Sequence, residues 1–398
     1  MGSSERAVTM EAGTDQSARL APHYSNFGVS HRLLLSGHSH QAWPDVAMEG
    51  IAEAFDDAAQ QVDEKWNRAF VKAERLRNGF RVFLGEPDAE IALAPNTHEL
   101  VLRFLSCLDL RARPRLITSD GEFHTLRRQL ARLAEEGLDV VRLPAAPADT
   151  LAERMADALD DRTSAVLVSA VLFETSRIVP GLDFLAEECR LRGVELLVDA
   201  YHALGPVPFS TAGIPNAWVV GGGYKYLQLG EGNCFMRLPR HADTFRPVIT
   251  GWYAEFAELS EHHDGLVGYP LGSARFAGST YDPTSHYRGA RVFDFFAEHG
   301  LTPHLLRKVA LHQVGLLASL FDQIGAPDDM ITRDRAPGEN FGGFLSLRTP
   351  HAQRLQAQLT ERGVLTDARG DYLRFGPAPY LSDRQLEAAM DVLARLVT

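Results

Sequence analysis

Two side chains in the stretch 194–225 have chemical content when taken together. The apolar run Leu196-Leu197-Val198 ends in Asp199, and a second run, Ala217-Trp218-Val219-Val220, passes through Gly221-Gly222-Gly223 into Tyr224-Lys225, twenty-six residues beyond the aspartate. Both runs read as buried strands. The carboxylate and the amine therefore fall at strand ends, and in open α/β sheets ligands sit beyond the carboxyl ends of the strands. A lysine amine forms a Schiff base with an aldehyde only when deprotonated, so it needs burial or a neighbouring cation to lower its pKa. A carboxylate beside a heteroaromatic ring nitrogen keeps that nitrogen protonated, which makes the ring a better sink for carbanion electrons. Each residue alone has a plainer role: an aspartate after a buried strand caps the next helix, and a lysine there is ordinarily solvated.

The elements that must position these groups are legible around them. Thr163–Ser169 is a continuous apolar run of the kind found in parallel strands. The helical stretch Asp183–Arg192 ends at Gly193, a good C-cap, and leads into the Asp199 strand. That strand–helix–strand order predicts a parallel sheet. Ile91–Ala94 reads as a strand breaking at Asn96-Thr97 into a helix, whose N-terminus would bind an anion as readily as it would accept a plain cap. Arg115–Thr118 is a strand followed by the turn Asp120–Thr125, which carries Phe123. Leu33–Leu35 enters the polar turn Ser36–His40; its His38-x-His40 pair has no third ligand at metal spacing, and a wall of a substrate pocket suits it better. Two helices follow, one opened by Pro44 with Val46, Ile51, Ala54 and Phe55 as its apolar stripe, the other around Lys65–Phe83 with Trp66, Phe70, Leu76 and Phe80 facing inward. Tyr287–Gly300 and Pro303–Ile324 read as long amphipathic helices. After them, strands Phe344–Leu347 and Tyr372–Phe375 with helices Ala352–Arg362 and Asp383–Leu396 read as a small α+β unit.

These stretches, in this order, resemble pyridoxal-phosphate (PLP) enzymes of fold type I, within them the class V aminotransferase group, and more narrowly kynureninases. The resemblance runs from about Leu33 to Pro379 over seven short motifs. Asp199-x-x-His202 is similar to the Asp-x-x-His of kynureninases, and Tyr224-Lys225-Tyr226-Leu227 to the run around their lysine. Val171–Arg177 is similar to Val-Asn-Tyr-Arg-Thr-Gly-Arg, Gly251-Trp252-Tyr253 to Gly-Trp-Trp, and Arg275–Thr280 to Phe-x-x-Gly-Thr-Pro. Asp367-x-Arg369 with Leu373-Arg374-Phe375 is similar to the kynureninase ending. The resemblance implies an α/β fold of the aspartate aminotransferase type. Its large domain would hold a mostly parallel seven-stranded sheet over residues 25–285, the first part of which also contributes to a small α+β domain at 286–398.

The resemblance also implies roles. Lys225 would hold PLP as a Schiff base and then act as general base, Asp199 would pair with the ring nitrogen, and His202 would lie beside both. Asn96 and Thr97 would hold the phosphate with Tyr224, Phe123 would stack on the ring, and Ser279 and Thr280 would reach a phosphate across a homodimer interface. Arg374 would take the substrate carboxylate, a bidentate task suited to guanidinium, with His38 and Ser39 lining the substrate pocket. Departures fall at the substrate end: His38 stands where kynureninases have Asn, His40 where they have Leu, and Leu126 where they have Asp. The implied reaction is kynureninase-like hydrolytic Cβ–Cγ cleavage of an L-amino acid, with amino transfer to an oxo acid as the alternative and a non-catalytic PLP-fold regulator as a third. A cysteine desulfurase would need a nucleophilic cysteine in the last third, and none follows Cys234. A nicotinamide reading lacks the G-x-G-x-x-G fingerprint.

Composition agrees with a soluble enzyme. The 398 residues carry a formal net charge of −12, with 45% hydrophobic and 23% charged residues, which gives no basic footprint for nucleic acid. Cys107, Cys189 and Cys234 show no CxxC pattern, which fits a reducing cytoplasm. No run reaches the roughly 18 apolar residues of a membrane span. Residues 1–24 are polar without an apolar signal core and read as a flexible arm.

Overall fold

The computed structural model of the chain describes residues 16–258 and 265–398. A seven-stranded sheet is built from β1 (Ile91–Ala94), β2 (Arg115–Ser119), β3 (Asp139–Leu143), β4 (Thr163–Ser169), β5 (Glu195–Asp199), β6 (Trp218–Gly222) and β7 (Cys234–Arg237). Its spatial order is β1-β7-β6-β5-β4-β2-β3. Pairings among β3, β2, β4, β5 and β6 are parallel; β7 runs antiparallel to both of its neighbours. Every residue of β4 is buried, as is every residue of β6, in keeping with a sheet covered on both faces. Two strands of this sheet went unrecognised in the sequence. β3 is a half-exposed edge without a clean apolar run, and β7 is four residues long and follows directly on a glycine-rich turn.

Helices cover the sheet: α1 (Ala47–Gln61), α2 (Lys65–Leu84), α3 (Thr97–Cys107), α4 (His124–Glu135), α5 (Leu151–Asp157), α6 (Leu182–Leu191) and α7 (Thr284–Glu298). The division expected after residue 285 falls inside α7, whose Phe293 packs edge-to-face on Phe80 of α2 at 5.4 Å. The α1 stripe differs from expectation at one position: Phe55 is 73% exposed, while Ala47, Gly50 and Ala54 make the buried face. Trp66 and Phe70 of α2 are half-buried, and Leu76 and Phe80 are buried. On the other side of the sheet Trp218 is fully buried against Phe104 and Phe276, and its indole N–H donates to Glu195 at 2.7 Å.

Beyond the long helix α8 (Pro303–Ile324), a second sheet holds β8 (Thr332–Arg333), β9 (Leu345–Arg348), β10 (Asp367–Arg369) and β11 (Tyr372–Phe375) in the antiparallel order β10-β11-β9-β8. It is flanked by α9 (Ala352–Glu361) and by α10 (Asp383–Val397), which opens with a Ser382/Gln385 capping box. The short strand Leu33–Leu34 pairs in parallel with Val364–Leu365, and Ser36 bridges to Gly376, so the chain's early residues are bound to its last hundred. Of the expected flexible arm, residues 1–15 lie outside the described residues. Residues 16–24 are helical and packed, with Leu20 and Tyr24 fully buried and the Tyr24 hydroxyl donating to Gln228 at 2.5 Å. Their apolar side chains find a partner surface, which a polar average over the whole stretch conceals. Among the described residues no helix is long and apolar enough to cross a membrane.

Candidate active site

The carboxyl ends of β2, β4, β5 and β6 lead into a cavity of about 430 Å³ walled by Thr97, Phe123, Asp199, Tyr201, His202 and Lys225, among others. Lys225 stands in the loop after β6 and is 6% exposed. Its Nζ lies 2.7 Å from His202 Nε2, 4.8 Å from the centre of the Tyr201 ring and 5.4 Å from that of Phe123. Burial pushes the amine down to about 7; the Asp199 carboxylate works against this and the Arg374 cation adds to it. A lysine so placed is substantially deprotonated near neutral pH.

Asp199 closes β5 and is buried. Its Oδ1 accepts from the Tyr201 N–H at 2.8 Å, and burial raises its pKa against the pull of that bond and of Lys225. His202 is held neutral by burial and by the Lys225 charge, and its Nδ1 is 3.5 Å from the Tyr226 hydroxyl. The glycine run before Lys225 permits the close approach this requires: a Cβ on Gly222 would fall 2.2 Å from the Tyr201 hydroxyl.

At the cavity's other end α3 begins. Asn96 caps it, its side chain accepting from the Glu99 N–H at 3.0 Å. Thr97 Oγ1 is buried without a hydrogen bond, the Cys234 thiol nearby being a weak partner at best. Phe123 lies at the start of α4, with its ring edge-to-face against Phe173 at 5.5 Å. Tyr224 also borders the cavity and stacks on the exposed His40 ring at 4.8 Å. Leu126, apolar where the resemblance expects an acid, lies on the wall too.

Of the twelve residues singled out from sequence, seven are brought together here, Asn96, Thr97, Phe123, Asp199, His202, Tyr224 and Lys225, whereas five, Arg374, His38, Ser39, Ser279 and Thr280, do not line this cavity. Arg374 on β11 is buried, hydrogen-bonded to Asp367 and to the Phe173 carbonyl, with its guanidinium 5.9 Å from the Phe173 ring. It is thus held against Phe173, which does line the cavity. His38 is fully buried, stacks on Phe344 at 4.6 Å, and has its Nε2 3.7 Å from Asp367. Burial pushes its pKa to about 3, so it is a neutral ring in the Arg374–Asp367 cluster and no part of the cavity wall. The polar turn expected to wall a substrate pocket is closed over by Gly376, where a Cβ would meet His38 Nδ1 at 2.2 Å. Ser39 turns instead to the neighbouring His40 ring, 3.2 Å away. Ser279 lines an adjoining cavity of about 280 Å³, and Thr280 accepts from the Trp252 indole N–H at 3.2 Å. Sequence reasoning passed over Tyr201, whose place two residues past a strand-end acid is its one signal, and Asp367, whose motif was quoted without a partner for Arg374.

Comparison with known proteins bears on the sequence family and the fold. Residues 306–393 match the family model of the kynureninase C-terminal domain. The chain is 27% identical over 382 residues to a kynureninase of Burkholderia pseudomallei (strain 1106a), covering 92% of this chain and 89% of that one. It is 25% identical over 402 residues to a kynureninase of Pseudomonas fluorescens, covering 96% and 94%. Among solved structures, C-DES with glycine covalently linked to its PLP cofactor superposes with a TM-score of 0.81 at 16% identity, over 94% of this chain and 98% of that one. An apo cysteine desulfurase from Thermococcus onnurineus NA1 does so with a TM-score of 0.75 at 18% identity, over 92% and 95%. The chain is kynureninase-like in sequence, and its fold is that of the PLP-dependent fold type I enzymes.

Proposed function

We propose that the chain is a PLP-dependent enzyme acting on an L-amino acid, with kynureninase-like hydrolytic cleavage between Cβ and Cγ as its reaction. The observation that carries the reading is the convergence of one buried, neutral-poised lysine and one buried carboxylate on a single cavity that the Phe123 ring also lines. The donor set fits the cofactor. Asp199 suits a ring nitrogen, Phe123 a ring face, and the orphaned Thr97 hydroxyl at the start of α3 an anion. Lys225 would hold the aldehyde carbon, with Asn96, His202 and Tyr224 around the ring and phosphate. Bound there, PLP supplies an electron sink for the substrate's Cα.

The chain's own part is proton handling and orientation. Lys225, once freed, takes the Cα proton as a general base near neutrality. With both groups neutral, Lys225 donates to His202 Nε2, which leaves the imidazole proton on Nδ1 toward Tyr226. Arg374 is the proposed carboxylate partner. Asp367 and the Phe173 carbonyl hold its guanidinium, and a substrate carboxylate would have to compete with them for it. His38 would support Arg374 through Asp367 rather than touch substrate, and Ser39 is left as a peripheral residue. Ser279 and Thr280 are proposed to act from a second copy of the chain, as a homodimer with shared sites.

Purified protein should absorb near ~420 nm, lose that band on borohydride reduction with a reduced adduct at Lys225, and lack it in Lys225→Ala. Absence of any such band from protein incubated with PLP overturns the reading. Leu126 on the cavity wall favours keeping amino transfer as the second reading. With L-kynurenine, alanine and anthranilate formed without an oxo acid establish hydrolysis, whereas turnover that requires an oxo acid establishes transfer.

A further inference from the structure

Close to Asp199 lies a second carboxyl group that none of these roles uses. Glu122 sits in the turn between β2 and α4, directly before Phe123, and is 1% exposed. Its Oε1 accepts from Ser119 Oγ at 2.6 Å and from the Ser169 N–H at 3.2 Å, and its Oε2 accepts from Ser169 Oγ at 2.6 Å. Ser119 ends β2 and Ser169 ends β4, and Ser169 is the register partner of Asp199 on β5. One side chain thus ties the turn that presents Phe123 to the strand ends that present Asp199. Glutamate is rarely buried this completely, least of all near another buried acid.

We propose that Glu122 is a positioning residue for the cofactor ring: it clamps the Phe123 turn to the Asp199 strand end and carries the proton of the buried acid pair, which leaves Asp199 ionised. The assignment follows from what faces each group. Asp199 has the Lys225 amine, which carries its charge below about pH 7, and the Tyr201 N–H. Glu122 has the hydroxyls of Ser119 on β2 and Ser169 on β4, the Ser169 amide, and the Asp199 carboxylate from β5, with Lys225 beyond that acid. Two neighbouring buried carboxylates do not both ionise readily, and the one lacking a cation takes the proton. Burial pushes Glu122 up to about 7; Ser119 and Ser169 pull it down and the Asp199 charge pushes it further up. When protonated it donates to a serine hydroxyl, which rotates to accept.

The ring-positioning half rests on the PLP reading; the proton-carrying half does not. Because the folded-state pKa lies above the ordinary carboxylate value, the stabilisation from proton uptake is complete below the unfolded pKa and is lost as pH rises through about 7. Urea unfolding of the PLP-free full chain should therefore show wild type losing stability relative to Glu122→Gln between about pH 5 and 7.5, with no further divergence above. Ser169→Ala removes a donor to the charged form and should move the midpoint up by roughly one pH unit. In the PLP-loaded protein, the absorbance of wild type should titrate with that same midpoint, and Glu122→Gln should lack the step. Parallel stability profiles for wild type and Glu122→Gln overturn the proton assignment. Should Glu122→Gln fail to fold, an unmoved midpoint in Ser169→Ala does so instead. Divergent profiles in the PLP-free chain, with absorbance steps identical in the two loaded proteins, overturn the coupling to the ring. No cofactor absorbance in wild type overturns the PLP reading and leaves the stability comparison interpretable.

Discussion

A lysine amine buried among Phe123, Tyr201 and Tyr224 is disfavoured as a cation, and that penalty has a measurable sign. Its folded-state pKa, about 7, lies below the ordinary lysine value, so the folded chain binds fewer protons than the unfolded one between about pH 7 and 10.5. Stability rises with pH across that window. In PLP-free protein, Lys225→Met should therefore be more stable than wild type at about pH 7, by about 2–4 kcal/mol, and the gap should shrink toward pH 10. Paired urea titrations check this, and a gap independent of pH refutes the assignment. Asp199 and Lys225 were legible because each ends or follows a continuous apolar run, and a buried strand announces its own terminus. Glu122 was not, since Asp120-Gly121-Glu122 reads as a polar surface turn. Its burial depends on Ser169, forty-seven residues away. His38 misled for the same reason: nothing local indicates that Gly376 and Phe344 enclose it.

At the scale of elements, the start of α3 separates stability from binding within two adjacent residues. Asn96 satisfies the Glu99 N–H, so Asn96→Ala should lower stability by about 1 kcal/mol, measured on PLP-free protein. Thr97 Oγ1 has no partner among the described residues beyond the weak Cys234 thiol, so Thr97→Val should leave stability within about 0.5 kcal/mol while weakening PLP binding by roughly tenfold, the value of one hydrogen bond to a charged group. Equal losses of stability for both variants, read by urea midpoint, would remove the reason for assigning Thr97 to an anion. The β6 end is stricter. Gly222→Ala would put a Cβ 2.2 Å from the Tyr201 hydroxyl and 2.7 Å from Cys234 Sγ, an overpacking expected to lower stability by about 1–3 kcal/mol. The parallel strands were readable because burial on both faces writes itself as unbroken apolar sequence in β4 and β5. β7 is buried just as fully, but it is four residues long and reversed in direction, so neither length nor a following helix marks it.

At the scale of the whole molecule, the segment leading to Ser279 presents apolar side chains to solvent in a single copy: Val248 is 84% exposed, Leu266 80% and Leu271 78%, with Ile249 and Val267 also open. Clustered exposure of this kind marks an interaction surface, and it adjoins the two hydroxyl residues that one protomer leaves outside its own Lys225 cavity. A second copy seated there would cover the patch and deliver Ser279 and Thr280 to its neighbour's site. Shared sites make a prediction that a merely stable dimer does not. Lys225→Ala protein and Ser279→Ala/Thr280→Val protein should each be nearly inactive alone. Co-refolded in equal amounts, half of the dimers pair one of each, and each such dimer holds one site with both lesions and one with none. Activity should then return to roughly one quarter of wild type. If every site is built from a single chain, mixing restores nothing beyond the sum of the parents. Leu271→Glu separates this from trivial reassortment: by charging the patch it should shift sedimentation toward the monomer and abolish the complementation in parallel.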